Sequence, residues 1–480
     1  MNFKSLLCVM WVLAVGVAAG RAEAQMTIGF SVMATNDLSP ARIVCCEDMR
    51  TDLNEVLRAF KEIHPAPFWS RSEAKIQGDI NRIVAATHGR GMTLGNFFKA
   101  VAGVVISFDD PHCWAITPGW AAYRDGGGHF FPCELRIRET RATVIVSADP
   151  QALPPDSEIL AINGVPMRAL IREFRPLTGQ MDDPFGDEFL STFFSRYLWF
   201  FKGWHDDFHV KIRAGKSERD VIIGGLSQTD YDAAISKIRP PDSLAFKVLG
   251  HGIGLLTFSK CDSREKTIAL ADAIFPEMER SGIRHLIVDA RNNTGGGDDA
   301  WIALLEYLTD KPFSGYHGGL YIASKRLKEL LGKDEFIRGY SPDGWAAPDG
   351  TVISHRTDGP DDLITPRTNG IKFHGDWVVL AGTRTFSSGM SFISAVKAYK
   401  LAPVIGQETG GRVEGFGQFV KVQLPRTGLL VNVSTKQFDG AVDVPYRRGV
   451  PPDIAVKENA GQTAAASDAT LSAAIHYFKH

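Results

Sequence analysis

Two short segments of this 480-residue chain carry residue types that can do acyl-transfer chemistry. In the first, the apolar run Leu286-Ile287-Val288-Asp289 leads into Ala290-Arg291-Asn292-Asn293-Thr294-Gly295-Gly296-Gly297, a glycine-rich turn ahead of a helix. Such a turn points several backbone N–H groups at one spot, which suits an anion. It lacks the Gly-Lys-Ser/Thr ending of a phosphate loop, so the favoured anion is the oxyanion of a carbonyl under attack. In the second, Trp377-Val378-Val379-Leu380-Ala381-Gly382-Thr383-Arg384-Thr385-Phe386-Ser387-Ser388-Gly389, a strand runs into a helix whose mouth holds Ser387. There a nucleophile is exposed and its developing charge is favoured by the helix N-terminus. Taken alone, a serine at that place reads as an ordinary helix cap.

The elements that must position these turns follow Pro240-Pro241. Strands are expected at Ile253 to Phe258, Leu286 to Asp289 and Trp377 to Leu380, and helices from about Arg264 to Glu279, from about Asp299, and from about Gly389 to Lys400. Alternation of this kind implies α/β architecture, which places ligands beyond the carboxyl ends of its strands. Upstream, Leu53, Val56, Leu57, Phe60 and Ile63, then Ile76, Ile80, Ile83 and Val84, recur at helical spacing, so residues 47 to about 106 form a small helical cap. Asp109-Asp110-Pro111 breaks that pattern and leaves His112 on a turn or strand start. From about 130 to 225 the texture is β-like. Leu153-Pro154-Pro155-Asp156-Ser157-Glu158-Ile159-Leu160-Ala161-Ile162-Asn163-Gly164-Val165-Pro166 is a hairpin turning at Asn-Gly, and it resembles the hairpin of a PDZ domain. The aromatic-dense stretch from Phe185 to Trp204 is expected to pack between these parts rather than to form a surface.

The paired turns resemble the tail-specific, or C-terminal processing, peptidase family and its tricorn-type branch. The family's Asp-x-Arg-x-Asn-x-Gly-Gly loop corresponds to Asp289 through Gly296, and its Thr-x-Ser nucleophile segment to Thr385 through Gly389. Val404-Ile405-Gly406-Gln407-Glu408-Thr409-Gly410-Gly411, the strand pair at Leu424 to Leu429, and Gly449-Val450-Pro451-Pro452-Asp453-Ile454 follow in the family's order. The resemblance implies Ser387 as nucleophile, an oxyanion held by N–H groups of Gly295 or Gly296 and Ser388, a crotonase-like (ClpP-like) α/β domain, and no cofactor or metal. It also implies polypeptide substrates with an accessible C-terminal tail, captured by the PDZ-like module as an added strand. One departure is chemical. Where Ser–Lys members carry their lysine, six residues beyond Gly406, this chain has Arg412, which cannot act as a neutral base. Tricorn-type members take a histidine from a Leu-x-Asp-x-His pattern, and Ile106-Ser107-Phe108-Asp109-Asp110-Pro111-His112 resembles it, so His112 is the expected general base. Its orienting acid is expected at Asp443, with Glu414 second, unless a backbone carbonyl or serine fills that place. A non-catalytic binding protein is the rival reading, with Ser387 as a cap and Arg412 holding a ligand carboxylate; an esterase of non-peptide substrates is a third.

Composition narrows the partners. A formal net charge of −2 gives no electrostatic case for nucleic acid or an anionic membrane, and 44% apolar content suits a multidomain globular chain. Lys4, the apolar stretch Leu6 to Ala19 and Ala22-Glu23-Ala24 read as a signal peptide, too short to span a membrane, which directs export to a periplasm or beyond the cell. Cys8 leaves with it, so the mature chain keeps Cys45, Cys46, Cys113, Cys133 and Cys261, enough for one or two pairs with no deducible connectivity. Cys113 beside His112 is a lesser nucleophile candidate. The expected organisation is signal peptide 1–24, helical cap 25–106, PDZ-like module with its aromatic linker 107–240, and catalytic domain 241–480.

Overall fold

The computed structural model describes residues 38–178, 184–238, 244–356, 362–367, 370–445, 447–457 and 468–479. The expected signal segment lies outside them. Three helices open the described chain, Cys46–Ile63, Glu73–Ala85 and Leu94–Ile106, their apolar spacing burying Leu53, Phe60, Ile80 and Phe98 on facing sides. An antiparallel sheet follows, in the order Cys133–Arg138, Arg141–Ser147, Glu158–Ile162, Asp207–Ala214, Ser217–Gly224. Its short hairpin to Val165–Pro166 turns at Asn163 and Gly164, with φ 47° and 76°, the left-handed pair that an Asn-Gly turn supplies.

The third part holds the two turns. Its six-stranded sheet runs Leu244–Gly250, Ile253–Phe258, His285–Asp289, Asp376–Ala381, Val404–Gly406, Ile454–Ala455, antiparallel at the first pair and parallel thereafter. Helices Arg264–Arg280, Asp298–Leu308 and Ser388–Ala398 cover one face, where Leu256, Leu286, Val288 and Val379 point. The alternate residues Leu255, Ile287, Val378 and Leu380 pack on the other face with the C-terminal helix Ala469–Tyr477. Burial on both faces explains why these strands read as unbroken apolar runs.

A second sheet, of which the sequence disclosed only the strand pair at Leu424 to Leu429, stands beside it: antiparallel Thr351–Arg356, Tyr316–Ala323, Leu430–Gly440 and Glu414–Gln423, with Ala115–Ile116 added against Val431 and Leu430. One hydrophobic core runs through the helical cap, the β-rich sheet and this second sheet, joining Phe60, Phe131 and Val431. The aromatic-rich helix Pro184–Tyr197 is part of the seam. Phe189 and Phe193 meet Trp114, Phe194 meets Phe174, and beyond the helix Phe200 meets Phe98. All five described cysteines are unpaired, so the one or two pairs that their number allows are not formed. No described helix is long and apolar enough to cross a membrane.

Candidate active site

Both turns sit at the carboxyl ends of adjacent parallel strands, His285–Asp289 and Asp376–Ala381, and are bonded to each other. Thr385 accepts from the Gly382 N–H and donates to the Ala290 carbonyl (3.0 and 2.8 Å), while the Phe386 N–H donates to the Asn293 carbonyl (2.9 Å). Asn293 is fully buried and works in three directions, its amide donating to the Phe258 carbonyl and its side-chain oxygen accepting from the Gly295 N–H. Arg291 chelates Asp289 and also grips Asp468, tying the C-terminal helix to the same turn. The Asp-x-Arg-x-Asn pattern is therefore a brace, and its Asp and Arg do not enter the cavity that the glycines line.

Ser387 leads the helix Ser388–Ala398 with φ 53° and ψ −129°, a left-handed conformation rare for a residue with a side chain. Its hydroxyl makes no capping bond, which removes the helix-cap reading. Space around it is created by absent side chains. A Cβ on Gly295 would stand 2.7 Å from the Ser387 Cβ, and one on Gly389 2.5 Å from the Asn293 carbonyl oxygen. The Gly295 N–H is engaged by Asn293, so of the expected oxyanion donors it is the one that is occupied. Among the hydrogen bonds of the described residues, the N–H groups of Gly296 and Ser388 have no acceptor, and both residues line the cavity with Ser387.

His112 reaches that same cavity, of about 880 Å³, from the turn after the helical cap. Its ring stacks on Phe386, next to Ser387, with centroids 4.5 Å apart. The turn is zipped onto the strand Leu430–Gly440. The Ser434 N–H donates to the Cys113 sulfur, the Asn432 N–H to the Trp114 carbonyl, and Ala115–Ile116 continue as strand. Both ring nitrogens of His112 are shielded from solvent and without hydrogen-bond partners. Burial pushes the imidazole below its ordinary pKa, against the opposing charge of Asp110.

Asp110 is the carboxylate beside His112. Its Oδ1 accepts the His112 backbone N–H (2.8 Å) and lies 3.8 Å from Nδ1; its Oδ2 takes hydrogen bonds from His64 Nε2 (3.2 Å) and the Cys113 thiol (3.0 Å). Burial works to raise this carboxyl, and the bonds and charge of the histidines with the thiol bond outweigh it, leaving it below the usual carboxylate range. The acids expected from sequence are elsewhere. Asp443 and Glu414 are exposed and line neither side of the His112 turn. Counting back from the Gly449 segment missed a partner two residues from His112 itself, where an aspartate folds over its own turn. His64, Asp110 and Cys113 are the one described set of donors close enough to share a metal ion, and they are bonded to one another. The Cys113 thiol is raised well above its ordinary pKa by burial and by Asp110, which disables it as a nucleophile.

Arg412 lies at the cavity edge, where its guanidinium donates to the carbonyl and the carboxylate of Asp109, each at 2.8 Å. It is thus bound within the protein, against the expectation of a substrate ligand. Burial pushes one lysine, Lys436, down to about 8. Its ammonium donates to the Gly339 carbonyl over the Tyr340 ring and does not line the cavity.

Residues 252–456 match the model of peptidase family S41. The chloroplastic C-terminal processing peptidase of Tetradesmus obliquus is 26% identical over 239 residues, which make up 50% of this chain and 41% of that protein's own length. In fold the chain is similar to mature CPAF complexed with lactacystin, over 90% of this chain and 97% of that one, with TM-score 0.55 and 15% identity. A CPAF mutant aligns over 90% and 96%, with TM-score 0.58 and 16% identity. The matched segment contains both interlocked turns, so it is over residues 252–456 that the chain is similar to peptidase family S41.

Proposed function

We propose that this chain is an exported serine peptidase in which Ser387 attacks the substrate carbonyl, His112 takes the hydroxyl proton and returns it to the leaving amine, and the N–H groups of Gly296 and Ser388 hold the oxyanion. Asp110, in place of Asp443, supplies the negative charge that supports the imidazolium. The observation that carries this reading is the conformation of Ser387: φ 53° and ψ −129°, with a hydroxyl used for no structural bond, beside an unpartnered histidine. A strained strand-to-helix turn that exposes a serine is the geometry a nucleophile needs. His112 makes no hydrogen bond to Ser387 here, and substrate closure is expected to bring them within reach.

The finer architecture belongs to the same proposal. Residues 25–106 serve as helical cap, 107–240 as a PDZ-like module that captures a C-terminal tail by strand addition, and 241–480 as a crotonase-like catalytic domain, with the base supplied as in tricorn-type members. Export by the leading segment puts the substrates among exported polypeptides, in the periplasm or outside the cell. The test is fluorophosphonate labelling together with hydrolysis of an unfolded protein. Labelling that maps to Ser387, and loss of both signals in Ser387→Ala, is the expected result; labelling without proteolysis points to a non-peptide ester, and neither signal in folded protein to a binding scaffold.

A further inference from the structure

Arg412 is half-buried, and the planar fork of an arginine suits it to two-point bonding. Its two bonds go to one residue, Asp109, through the backbone carbonyl and the carboxylate. Asp109 has φ 61°, the left-handed kink that ends the helical cap and turns the chain toward His112. Arg447 reaches the other carboxylate oxygen, and the Arg412 guanidinium also lies 5.8 Å from the Trp69 ring, whose Nε1 donates to the Phe108 carbonyl. Arg412 and Arg447 belong to the segments after Gly406 and before Gly449, so the S41 domain grips the cap's turn at its sharpest point.

We propose that Arg412 is a positioning residue for His112: by clamping the kink at Asp109 it fixes the turn that presents the imidazole beside Ser387. The proposal rests on the Ser387–His112 reading given above. It assigns this position neither proton transfer nor substrate binding. Arginine cannot lose its proton, and two of its nitrogens already bond Asp109. Loosening the clamp should shift the base by a fraction of an ångström to an ångström, a displacement that costs a reaction on the order of 100-fold.

The experiment compares wild type, Arg412→Ala, Arg412→Lys and Asp109→Asn in the full exported chain, reading kcat and KM on an unfolded protein and the imidazole pKa of His112 by NMR, assigned through His112→Ala. The charged groups near that ring are Asp110, Asp109 with Arg412 and Arg447, and, behind Asp110, His64 and Cys113; across the shared cavity stand Lys260, Asp262, Lys266, Asp298 and Lys421. Arg412→Ala is expected to lower kcat roughly 10- to 100-fold with KM within about threefold, and to raise the His112 pKa toward about 6.5 as the turn opens to water and a cation departs. Arg412→Lys should recover part of kcat, and Asp109→Asn should lower kcat with the fold intact. A rise in KM at constant kcat would reassign Arg412 to substrate binding and overturn the proposal. So would hydrolysis by Arg412→Lys that persists when His112→Ala is added, or an unchanged His112 pKa with unchanged kcat. If wild type shows no Ser387-dependent hydrolysis, the peptidase reading fails instead, and the NMR titration alone decides whether Arg412 sets the surroundings of His112.

Discussion

Ser387 is held in a backbone region that costs a residue with a side chain about 1–3 kcal/mol. In ordinary structure Ala→Gly destabilises by about 0.5–1 kcal/mol through the freedom glycine gains on unfolding. Here the order should invert. Ser387→Gly is expected to be more stable than Ser387→Ala by about 1 kcal/mol in denaturant unfolding, with hydrolysis absent from both; the usual order would mean that the turn stores no strain. The pH profile follows from His112. The base must be neutral to accept a proton, so activity falls as pH drops through its pKa, and burial has moved that pKa down. The acid limb of kcat/KM should therefore lie below about 6.5, the unperturbed value. Asp110→Asn removes the charge that opposes this shift, so the limb should move lower still and the rate drop at least tenfold; a limb that stays in place would separate Asp110 from the base. The proposed nucleophile's turn and the glycine turn that it meets were legible in the sequence because each is one contiguous motif. Asp110 was overlooked, although it stands two residues before His112, because an acid was sought near the distant Gly449 segment. The occupied N–H of Gly295 depends on the Asn293 side chain, a contact that residue types alone do not specify.

On the proposed mechanism, catalysis depends on how closely the helix Ser388–Ala398 approaches the glycine turn. Gly389→Ala places a methyl group 2.5 Å from a backbone oxygen that has no freedom to retreat, since Asn293 is buried and bonded. The helix must slide, and overpacking of this sort costs about 1–3 kcal/mol. Thermal unfolding should report that loss while kcat falls more than tenfold, and unchanged kcat would show that the helix mouth tolerates displacement. The brace to the C-terminal helix makes a contrasting case. Asp468→Ala leaves Arg291 with Asp289 as a partner, so the expected loss is about 1–3 kcal/mol in stability with kcat within a few-fold, seen as faster hydrogen exchange confined to Ala469–Tyr477. Because the Asp468 carboxyl is depressed by Arg291 against the opposing effect of burial, that stabilisation is present above about pH 4 and lost as pH falls through the lowered pKa. Parallel strands and their helices were readable from residue patterns because each is local and buried on both faces. Of the second sheet only the local strand pair at Leu424 to Leu429 was, since its other pairings join Ala115–Ile116 to Val431 and Leu430 and Tyr316–Ala323 to residues 436–440, partners that a periodicity scan cannot connect.

For the whole molecule, the shared core sets what can stand alone. Phe60, Phe131 and Val431 lie in one hydrophobic cluster, so a truncated chain starting at residue 244 exposes the face on which the second sheet rests against the cap and the β-rich sheet. Such a chain is expected to bind a hydrophobic dye and to lack a cooperative near-ultraviolet circular dichroism transition, whereas an independently folded piece would melt sharply. The three parts read from the sequence thus share one core. The zipper between residues 113–116 and 430–434 has a further consequence, which lies in time. The base is synthesised early and the nucleophile late, and the strand that seats the base emerges after both. On the proposed mechanism an unfinished chain therefore holds a serine without a proton acceptor and a cavity without its wall. On that reading the chain gains activity only once its own far end has folded back onto its beginning.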